Sequence, residues 1–338
     1  MMRNYIIHFF IAFFIVFFPT LIFSWWVEPL HGDLTRIGRW SEHDFGPNTN
    51  HPEIKVETGE KFMAHPDIMV LGDSFSSRNL WQSILAKEQN KKIQTSDYES
   101  NCISNWINYS TTNPTGSMVI IQSVERAIIS RFSKMPTCNK ENSSTIKVSS
   151  VKIESSQRPI WPLTFDFKYL STTALNTFKS NLLHEEYSNK YMTVNESLHN
   201  GCALFSNKRN DRILYYSQDD NKYKWTEKEI NNSISNILKI QKNVESSGRK
   251  FVFIVAPDKS TIYKNCLKNK NPKEVDPNIN QLLIDAGVNA PDMRSPFQLN
   301  VDKVIDLYDP DNTHWSIAGY ILAGEVINRY TSRKSVTR

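Results

Sequence analysis

Short runs of consecutive apolar residues, bounded by turn-forming or polar stretches, dominate the hydrophobic pattern of this chain. The runs cover residues 68–71, 118–122, 251–256 and 303–306. Continuous runs of this length, rich in β-branched residues, are typical of strands buried on both faces of a parallel sheet. The pattern therefore predicts four buried parallel strands.

Segments with helical periodicity lie between and after these runs. Helices are predicted over residues 77–89, 124–132 and 228–247, and a closing helix over 317–330 with Ser316 as its N-cap. Alternation of strands and helices is typical of α/β proteins in which helices cover both faces of the sheet. We therefore predict a three-layer, doubly wound parallel sheet over residues 65–330.

Two stretches do not follow this alternation. Residues 28–64 form a polar lead-in segment with little periodicity, which we name the lead-in. Residues from about 137 to 225 contain alternating, strand-like runs and a hairpin-like pair at 212–216 and 222–225. Long insertions in compact domains are often functional, so we interpret this stretch as a lid-like region that covers a cleft.

The N-terminus carries a long apolar run. From Tyr5 to Val27, 23 residues are nearly all apolar, and Arg3 precedes them. As a helix this run would span about 34 Å, enough for a hydrocarbon core of about 30 Å. Its length, and the lack of an A-x-A-like cleavage site after it, favour an uncleaved transmembrane anchor over residues 1–27 rather than a signal peptide.

Charge and cysteine content narrow the possible functions. The net charge of +5 comes from basic residues scattered over 338 positions, which argues against nucleic-acid binding. The four cysteines, at positions 102, 138, 202 and 266, lack the spacing of zinc ligands. They are compatible with two disulfides in any of three pairings, which would indicate an exported protein, or with four buried free thiols.

Two short motifs carry the candidate chemistry. The first predicted strand runs into Gly72-Asp73-Ser74-Phe75-Ser76, and Asp311-Asn312-Thr313-His314-Trp315-Ser316 precedes the closing helix. The carboxyl ends of parallel strands share one edge of a sheet, so both motifs are expected at the same crevice. A serine, a histidine and an aspartate together make a nucleophile, a general base and an orienting acid.

We therefore predict Ser74 as the nucleophile, His314 as the general base and Asp311 as the residue that orients His314. Asp309 is a second candidate for the orienting role. The alternative interpretation of the first motif is that Asp73 and Ser74 only cap the helix that follows.

These motifs resemble those of the SGNH hydrolase superfamily, whose first block is Gly-Asp-Ser and whose last is Asp-x-x-His. The resemblance is closer to periplasmic polysaccharide O-acetyltransferases related to the alginate O-acetylation proteins. It is carried by residues 71–76, 119–129, 255–263 and 311–316, while residues 32–38 and 44–46 are similar to a segment that precedes such domains. In the alginate-type proteins an aspartate stands two residues before the histidine, where this chain has Asn312.

The resemblance implies acetyl transfer to hydroxyls of a cell-envelope or exported polysaccharide through an acetyl-serine intermediate, without a metal or cofactor. It also implies a membrane-bound acyltransferase that supplies the acetyl group, and a periplasmic catalytic domain anchored in a bacterial inner membrane. The other oxyanion donors of the superfamily have no clear counterpart here. Candidates for oxyanion or substrate contacts are Asp73, Asn101, Asn105, Gln122 and Arg126. The alternatives are an acetylesterase with the same site and a non-catalytic polysaccharide-binding or assembly subunit.

Overall fold

The computed structural model describes residues 2–26, 30–38, 40–49, 54, 65–112, 116–134, 192–268 and 275–333. Most of the predicted insertion, residues 137–191, lies outside the described residues. The helices are α1 (Met2–Trp26), α2 (Asp33–Gly38), α3 (Glu42–Phe45), α4 (Ser74–Ser77), α5 (Leu80–Gln89), α6 (Ile103–Thr112), α7 (Ile128–Phe132), α8 (Glu227–Ser246), α9 (Lys259–Tyr263), α10 (Ile279–Asp285), α11 (Arg294–Gln298) and α12 (Ile317–Arg333). The strands are β1 (Ile68–Gly72), β2 (Ile93–Asp97), β3 (Met118–Val124), β4 (Thr193–Ser197), β5 (Arg212–Tyr216) and β6 (Lys250–Ala256).

A four-stranded parallel sheet forms the centre of the described structure. Its strands lie in the order β2-β1-β3-β6, and all neighbouring pairs are parallel. Every residue of β1 and β3 is buried, as are the last six residues of β6. Burial on both faces explains why these three strands have continuous apolar runs and were predicted from the sequence.

Helices cover both faces of this sheet. Ile68 and Val70 of β1 enter an apolar cluster with residues of α5 and α12, whereas Met69 and Leu71 enter a second cluster with residues of α6, α7 and α8. This division follows from the alternation of side chains along a strand. The α/β prediction, with helices packed on either side of a parallel sheet, is confirmed.

The edge strand β2 was not predicted from the sequence. Its residues, Ile93–Asp97, include Gln94, Thr95 and Ser96, and within the described part of the chain the strand pairs with β1 alone. An edge strand with polar residues gives neither a continuous apolar run nor a clear alternation, so its hydrophobic pattern carries little signal.

Two of the predicted strand assignments are wrong. Residues 303–306 form turns, because Asp306 adopts a left-handed conformation with φ of 51° and its carboxylate accepts hydrogen bonds from the Ser206 N–H and hydroxyl. The predicted hairpin of 212–216 with 222–225 is also absent from the described residues. Instead β5 pairs antiparallel with β4, and Ser217–Lys224 forms a 3-10 helix.

The predicted helices are confirmed in part. α8 begins with a capping box between Thr226 and Glu229, and the Ser316 hydroxyl caps α12 by accepting hydrogen bonds from two backbone N–H groups. The predicted helix over 77–89 is interrupted, since Asn79 adopts a left-handed conformation with φ of 53°. The chain therefore forms the short helix α4 before α5.

The lead-in is a folded part of the structure. Leu34 of α2 and Phe45 of α3 are buried against Leu214 of β5. The Arg209 N–H donates to the Asp44 carbonyl at 3.1 Å, which joins the lead-in to the loop between β4 and β5. Strands β4 and β5 therefore form the platform on which the lead-in docks.

The predicted transmembrane anchor is not supported by the structure. Among the described residues, no helix is found that is both long enough and apolar enough to cross a membrane.

Disulfide bonds rather than free thiols are present among the described cysteines. Cys202 and Cys266 form a disulfide, Cys102 is disulfide-bonded as well, and no described cysteine is free. Cys202 follows β4 and Cys266 follows α9, and the His199 N–H donates to the Cys266 carbonyl at 2.8 Å beside this bond. The disulfide therefore ties the platform of the lead-in to the main sheet.

We expect the double replacement Cys202→Ser and Cys266→Ser to lower the free energy of unfolding by about 2–5 kcal/mol, because the bond restricts the unfolded chain. The two cysteines are 64 positions apart, so the closed loop is long. Urea unfolding of the variant and of the oxidised wild type, followed by circular dichroism, measures the difference. A change below about 0.5 kcal/mol, within the range of ordinary surface substitutions, would show that the bond contributes little.

Candidate active site

Ser74 lies at the carboxyl edge of the sheet, where β1 turns directly into α4. The Asp73 carboxylate caps α4 by accepting a hydrogen bond from the Phe75 N–H at 3.1 Å. It also accepts from the Val124 N–H at 2.7 Å and from the Arg131 guanidinium at 2.6 Å. Asp73 thus holds the turn in place, whereas Ser74 is exposed. The Ser74 N–H is the first amide of α4 and has no carbonyl partner within the helix.

The structure brings His314 to Ser74. Tyr308 and Trp315 form an isolated β-bridge, and the turn between them carries His314. Nε2 of His314 lies 2.7 Å from Oγ of Ser74. The ring of Phe75 packs against the imidazole, with centroids 4.8 Å apart. Nucleophile and base candidates from opposite ends of the chain therefore form a direct hydrogen bond.

The second ring nitrogen of His314 faces three side-chain oxygens, of which Oγ1 of Thr313 lies 3.4 Å away. Nδ1 lies 2.7 Å from Oδ1 of Asn312 and 3.4 Å from Oδ2 of Asp33. The hydrogen bond with His314 holds the pKa of Asp33 below its ordinary value, so this carboxyl is ionised at neutral pH. A proton kept on Nδ1 by these oxygens leaves Nε2 to accept the proton of the serine hydroxyl.

For Asp311 and Asp309, the orienting residues considered from the sequence, the contacts described here are made by the backbone. Asp311 is buried, and its backbone carbonyl accepts hydrogen bonds from the Leu34 N–H at 2.9 Å and the Thr35 N–H at 3.4 Å. The Asp309 N–H donates to the His314 carbonyl at 3.3 Å. The Asn312 and Asp33 oxygens that face the imidazole Nδ1 thus come from the turn itself and from the lead-in.

Sequence reasoning did not identify Asp33 as a site residue. It lies in a polar segment far from both motifs, where an isolated acid carries no spacing signal. The one available indication was the similarity of residues 32–38 to a segment that precedes related domains. Asp33 reaches the site only because α2 docks on β4 and β5.

A buried carboxylate fixes the position of the turn before α2. Glu42 accepts hydrogen bonds from the His31 N–H at 3.1 Å, the Gly32 N–H at 3.3 Å and the Thr35 hydroxyl at 2.6 Å. Gly32 also lies directly against the turn that carries His314, because a Cβ at this position would be 2.2 Å from the Asp311 carbonyl oxygen. The close approach therefore requires glycine and sets the distance between the two segments.

Three of the oxyanion candidates, Gln122, Asn101 and Asn105, were predicted from the sequence as possible hydrogen-bond donors to the substrate. Gln122 is fully buried, and its Oε1 accepts a hydrogen bond from the Asp73 N–H at 3.1 Å. The Asn101 amide donates to the Asp97 carbonyl at 3.0 Å. Asn105 is partly buried within α6. The Ser74 N–H, at the start of α4, is a further hydrogen-bond donor beside the Ser74 hydroxyl.

Arg126 belongs to a buried cluster of charges at the ends of β3 and β6. Its guanidinium contacts Asp258 at 2.6 Å and Asp219 at 3.2 Å, and the fully buried Lys222 lies 3.9 Å from Asp258. Burial raises the pKa of Asp258 to about 7, the charge of Asp219 adds to the rise, and Arg126 opposes it. The Arg126 charge is thus balanced inside the protein. No group in the described part of the chain has three or more side chains that could hold a metal ion.

A parallel sheet covered by helices, with an exposed serine at its carboxyl edge against a histidine, agrees with the resemblance to SGNH hydrolase-like domains predicted from the sequence. A family model matches part of the chain. Residues 210–336 match the model described as "SGNH hydrolase-like domain, acetyltransferase AlgX". The resemblance predicted from the sequence, to the SGNH superfamily and its alginate O-acetyltransferase-like branch, is therefore confirmed. The curated proteins and the solved structures gave no significant match.

The matched region contains β6, α9 and the turn with His314, and it begins after Asp33 and Ser74. The family similarity therefore rests on the half of the site that supplies the histidine. This similarity supports an enzyme of the acetyltransferase or hydrolase type. Ser74 lies outside the matched region, so its place in the site rests on its contact with His314.

Proposed function

We propose that this protein is an O-acetyltransferase that modifies hydroxyl groups of a cell-envelope or exported polysaccharide through an acetyl-serine intermediate. The observation that carries the proposal is the 2.7 Å contact between Ser74 Oγ and His314 Nε2, with Nδ1 facing Asn312 and Asp33. A serine within hydrogen-bond reach of an oriented histidine is the arrangement needed to activate a weak nucleophile.

In the first step Ser74 Oγ attacks the carbonyl carbon of the acetyl donor while His314 Nε2 takes the hydroxyl proton. The negative charge that develops on the carbonyl oxygen is stabilised by the Ser74 N–H at the start of α4. The bond from the carbonyl carbon to the leaving group then breaks. The leaving group takes the proton from His314, and the acetyl group remains on Ser74 as an ester.

In the second step a sugar hydroxyl attacks the acetyl ester. His314 Nε2 accepts the proton of this hydroxyl, and the same N–H stabilises the oxyanion. When the ester bond breaks, Ser74 Oγ recovers the proton from His314 and the acetylated sugar leaves. In both steps the imidazolium is formed beside the ionised Asp33, which favours the charged state.

The choice of a sugar acceptor rather than water rests on the family similarity, because the matched model is described as an acetyltransferase. An acetylesterase is the second candidate, and the exposure of Ser74, which admits water, favours it. We further propose that the protein acts in the periplasm, since disulfides persist in oxidising compartments. A membrane-bound acyltransferase partner would supply the acetyl group there.

The 2.7 Å contact also argues against a non-catalytic binding or assembly subunit. Such a protein has no need to keep the hydroxyl and the imidazole in contact, or to hold an ionised carboxylate behind the ring. Both features cost desolvation and side-chain freedom, and catalysis is the function that uses them together.

The direct test is to incubate the full-length, oxidised protein with 4-nitrophenyl acetate and to map acetyl groups by peptide mass spectrometry. We expect a rapid release of nitrophenol and one acetyl group on the peptide that contains Ser74. Parallel reactions contain purified polysaccharides or oligosaccharides of different composition, and both acetate and acetylated sugar are quantified.

Acetylated sugar formed in excess over acetate supports the transferase. Acetate alone, at the same rate with every sugar, supports the esterase. A folded protein that neither releases nitrophenol nor carries acetyl on Ser74 would overturn both and support the non-catalytic subunit.

A further inference from the structure

A buried lysine holds the turn that presents His314. Lys259 is the first residue of α9, which follows β6 after Pro257 and Asp258, and it is 1 % exposed. Its Nζ donates hydrogen bonds to three backbone carbonyls of this turn, those of Asp309 at 2.8 Å, Pro310 at 3.0 Å and Asn312 at 3.1 Å. An ammonium has three N–H groups, so these three acceptors use all of them.

The fourth carbonyl of the turn is held from the other side. The Asp311 carbonyl accepts hydrogen bonds from the N–H groups of Leu34 and Thr35, at the start of the helix that carries Asp33. The four consecutive carbonyls of residues 309–312 are thus held by the ammonium of Lys259 and by the first backbone N–H groups of α2. Asn312, whose side chain meets Nδ1 of His314, is part of this fixed turn.

We propose that Lys259 is a positioning residue for the reaction proposed above. Its ammonium holds the carbonyls of Asp309, Pro310 and Asn312 and so sets the direction in which Asn312 and His314 point. The inference rests on the proposed function, since it assigns to Lys259 a role in presenting the base to Ser74. Lys259 itself contacts carbonyl groups of the turn, and it acts on the chemistry only through them.

The surroundings of Lys259 make its protonation sensitive to pH. Its charged neighbours are Asp306, Asp309 and Asp311, in the loop that leads to His314, and Asp219 of the 3-10 helix Ser217–Lys224. The ring of Phe205 lies 5.5 Å from Nζ. Burial outweighs these acids and lowers the pKa of Lys259 to about 8.

Loss of this proton removes one of the three donors. A neutral amine has two N–H groups, so one carbonyl of the turn loses its partner. The rate of acetyl transfer should therefore decline above a pH of about 8, where the lysine becomes neutral.

The test compares Lys259→Met with Lys222→Met in the full-length protein. Lys222 is also buried, but its Nζ donates to the side chains of Ser260 and Thr261, away from the turn. We expect Lys259→Met to slow the acetylation of Ser74 by about tenfold through kcat, with little change in KM, because the base is misplaced. Per folded molecule, as measured by circular dichroism, Lys222→Met should keep the wild-type rate.

A chemical rescue separates positioning from general stability. Lys259→Cys is alkylated with 2-bromoethylamine in denaturant, with the native disulfides kept oxidised, and then refolded. The product has an ammonium of nearly the same reach as lysine but lower basicity. We expect its rate at neutral pH to rise well above that of Lys259→Met, and its alkaline decline to begin at a lower pH than in the wild type.

Two results would overturn the inference: Lys259→Met with a wild-type rate and pH profile, or a rescued protein whose alkaline decline does not move. A readout independent of activity is the NMR signal of the Nδ1 proton of His314, which should weaken in Lys259→Met and stay in Lys222→Met. If the wild type is not acetylated at Ser74, the proposed function fails, and this signal still tests the role of Lys259.

Discussion

Replacing Ser74 with alanine is expected to lower the rate of acetyl transfer by about 10⁴-fold or more and to abolish acetyl incorporation into the peptide that contains it. The reason is that Oγ is the atom that lies 2.7 Å from the base, and no other group in the proposed steps can carry the acetyl group. Stopped-flow release of nitrophenol and intact-protein mass spectrometry measure the two effects.

Ser77→Ala is the matched control for this prediction. Ser77 is an exposed serine of the same short helix, and its hydroxyl donates to the Ser74 carbonyl at 3.0 Å. It should retain most of the wild-type rate. If instead Ser74→Ala keeps its activity while the acetyl group appears on another residue, the nucleophile has been assigned incorrectly.

Asp33→Asn is expected to lower the rate of Ser74 acetylation by about 10²–10³-fold. The substitution removes the negative charge beside the imidazolium that forms in each step. The loss should be smaller than for Ser74→Ala, since Asn312 still accepts a hydrogen bond from Nδ1 and keeps the tautomer. Because the pKa of Asp33 lies below its ordinary value, the wild-type carboxylate stays ionised from weakly acidic to alkaline pH. The difference between variant and wild type should thus persist over this range.

The competing assignment is tested by Asp311→Asn, which makes the same chemical change at the residue favoured by the sequence. Asp311→Asn should alter the rate far less than Asp33→Asn once both are corrected for the folded fraction. Steady-state kcat and KM are measured for both variants, with thermal unfolding to obtain that fraction. A larger loss from Asp311→Asn would restore Asp311 as the orienting acid and remove Asp33 from the proposed mechanism.

The sequence predicted those parts of the fold that produce a strong hydrophobic pattern. Strands β1, β3 and β6 are buried on both faces, so their apolar runs were visible. The long helices α8 and α12 showed helical periodicity, and Ser316 was the predicted cap of α12. The polar edge strand β2 gave no such signal. Residues 303–306 were misassigned because the conformation of Asp306 depends on contacts with Ser206, a residue 100 positions away in the chain.

The candidate site was predictable only as far as sheet topology determines it. Ser74 and His314 both follow predicted strands, and the carboxyl edge rule places such residues in one crevice. Although the strand assigned before His314 was wrong, the β-bridge between Tyr308 and Trp315 brings the histidine to the same edge. Asp33 depends on the docking of the lead-in, which no local pattern encodes.

The docking of the lead-in also bears on how recombinant forms of this protein should be designed. A version that starts at residue 65 would retain β1 through β6 and the helices on both faces of the main sheet. It would nevertheless lack Asp33 and Glu42, together with the helix start that grips the Asp311 carbonyl. Any activity measured on such a preparation would underestimate that of the full-length protein, whereas an expression boundary before Leu30 keeps Asp33, Glu42 and this helix start in place.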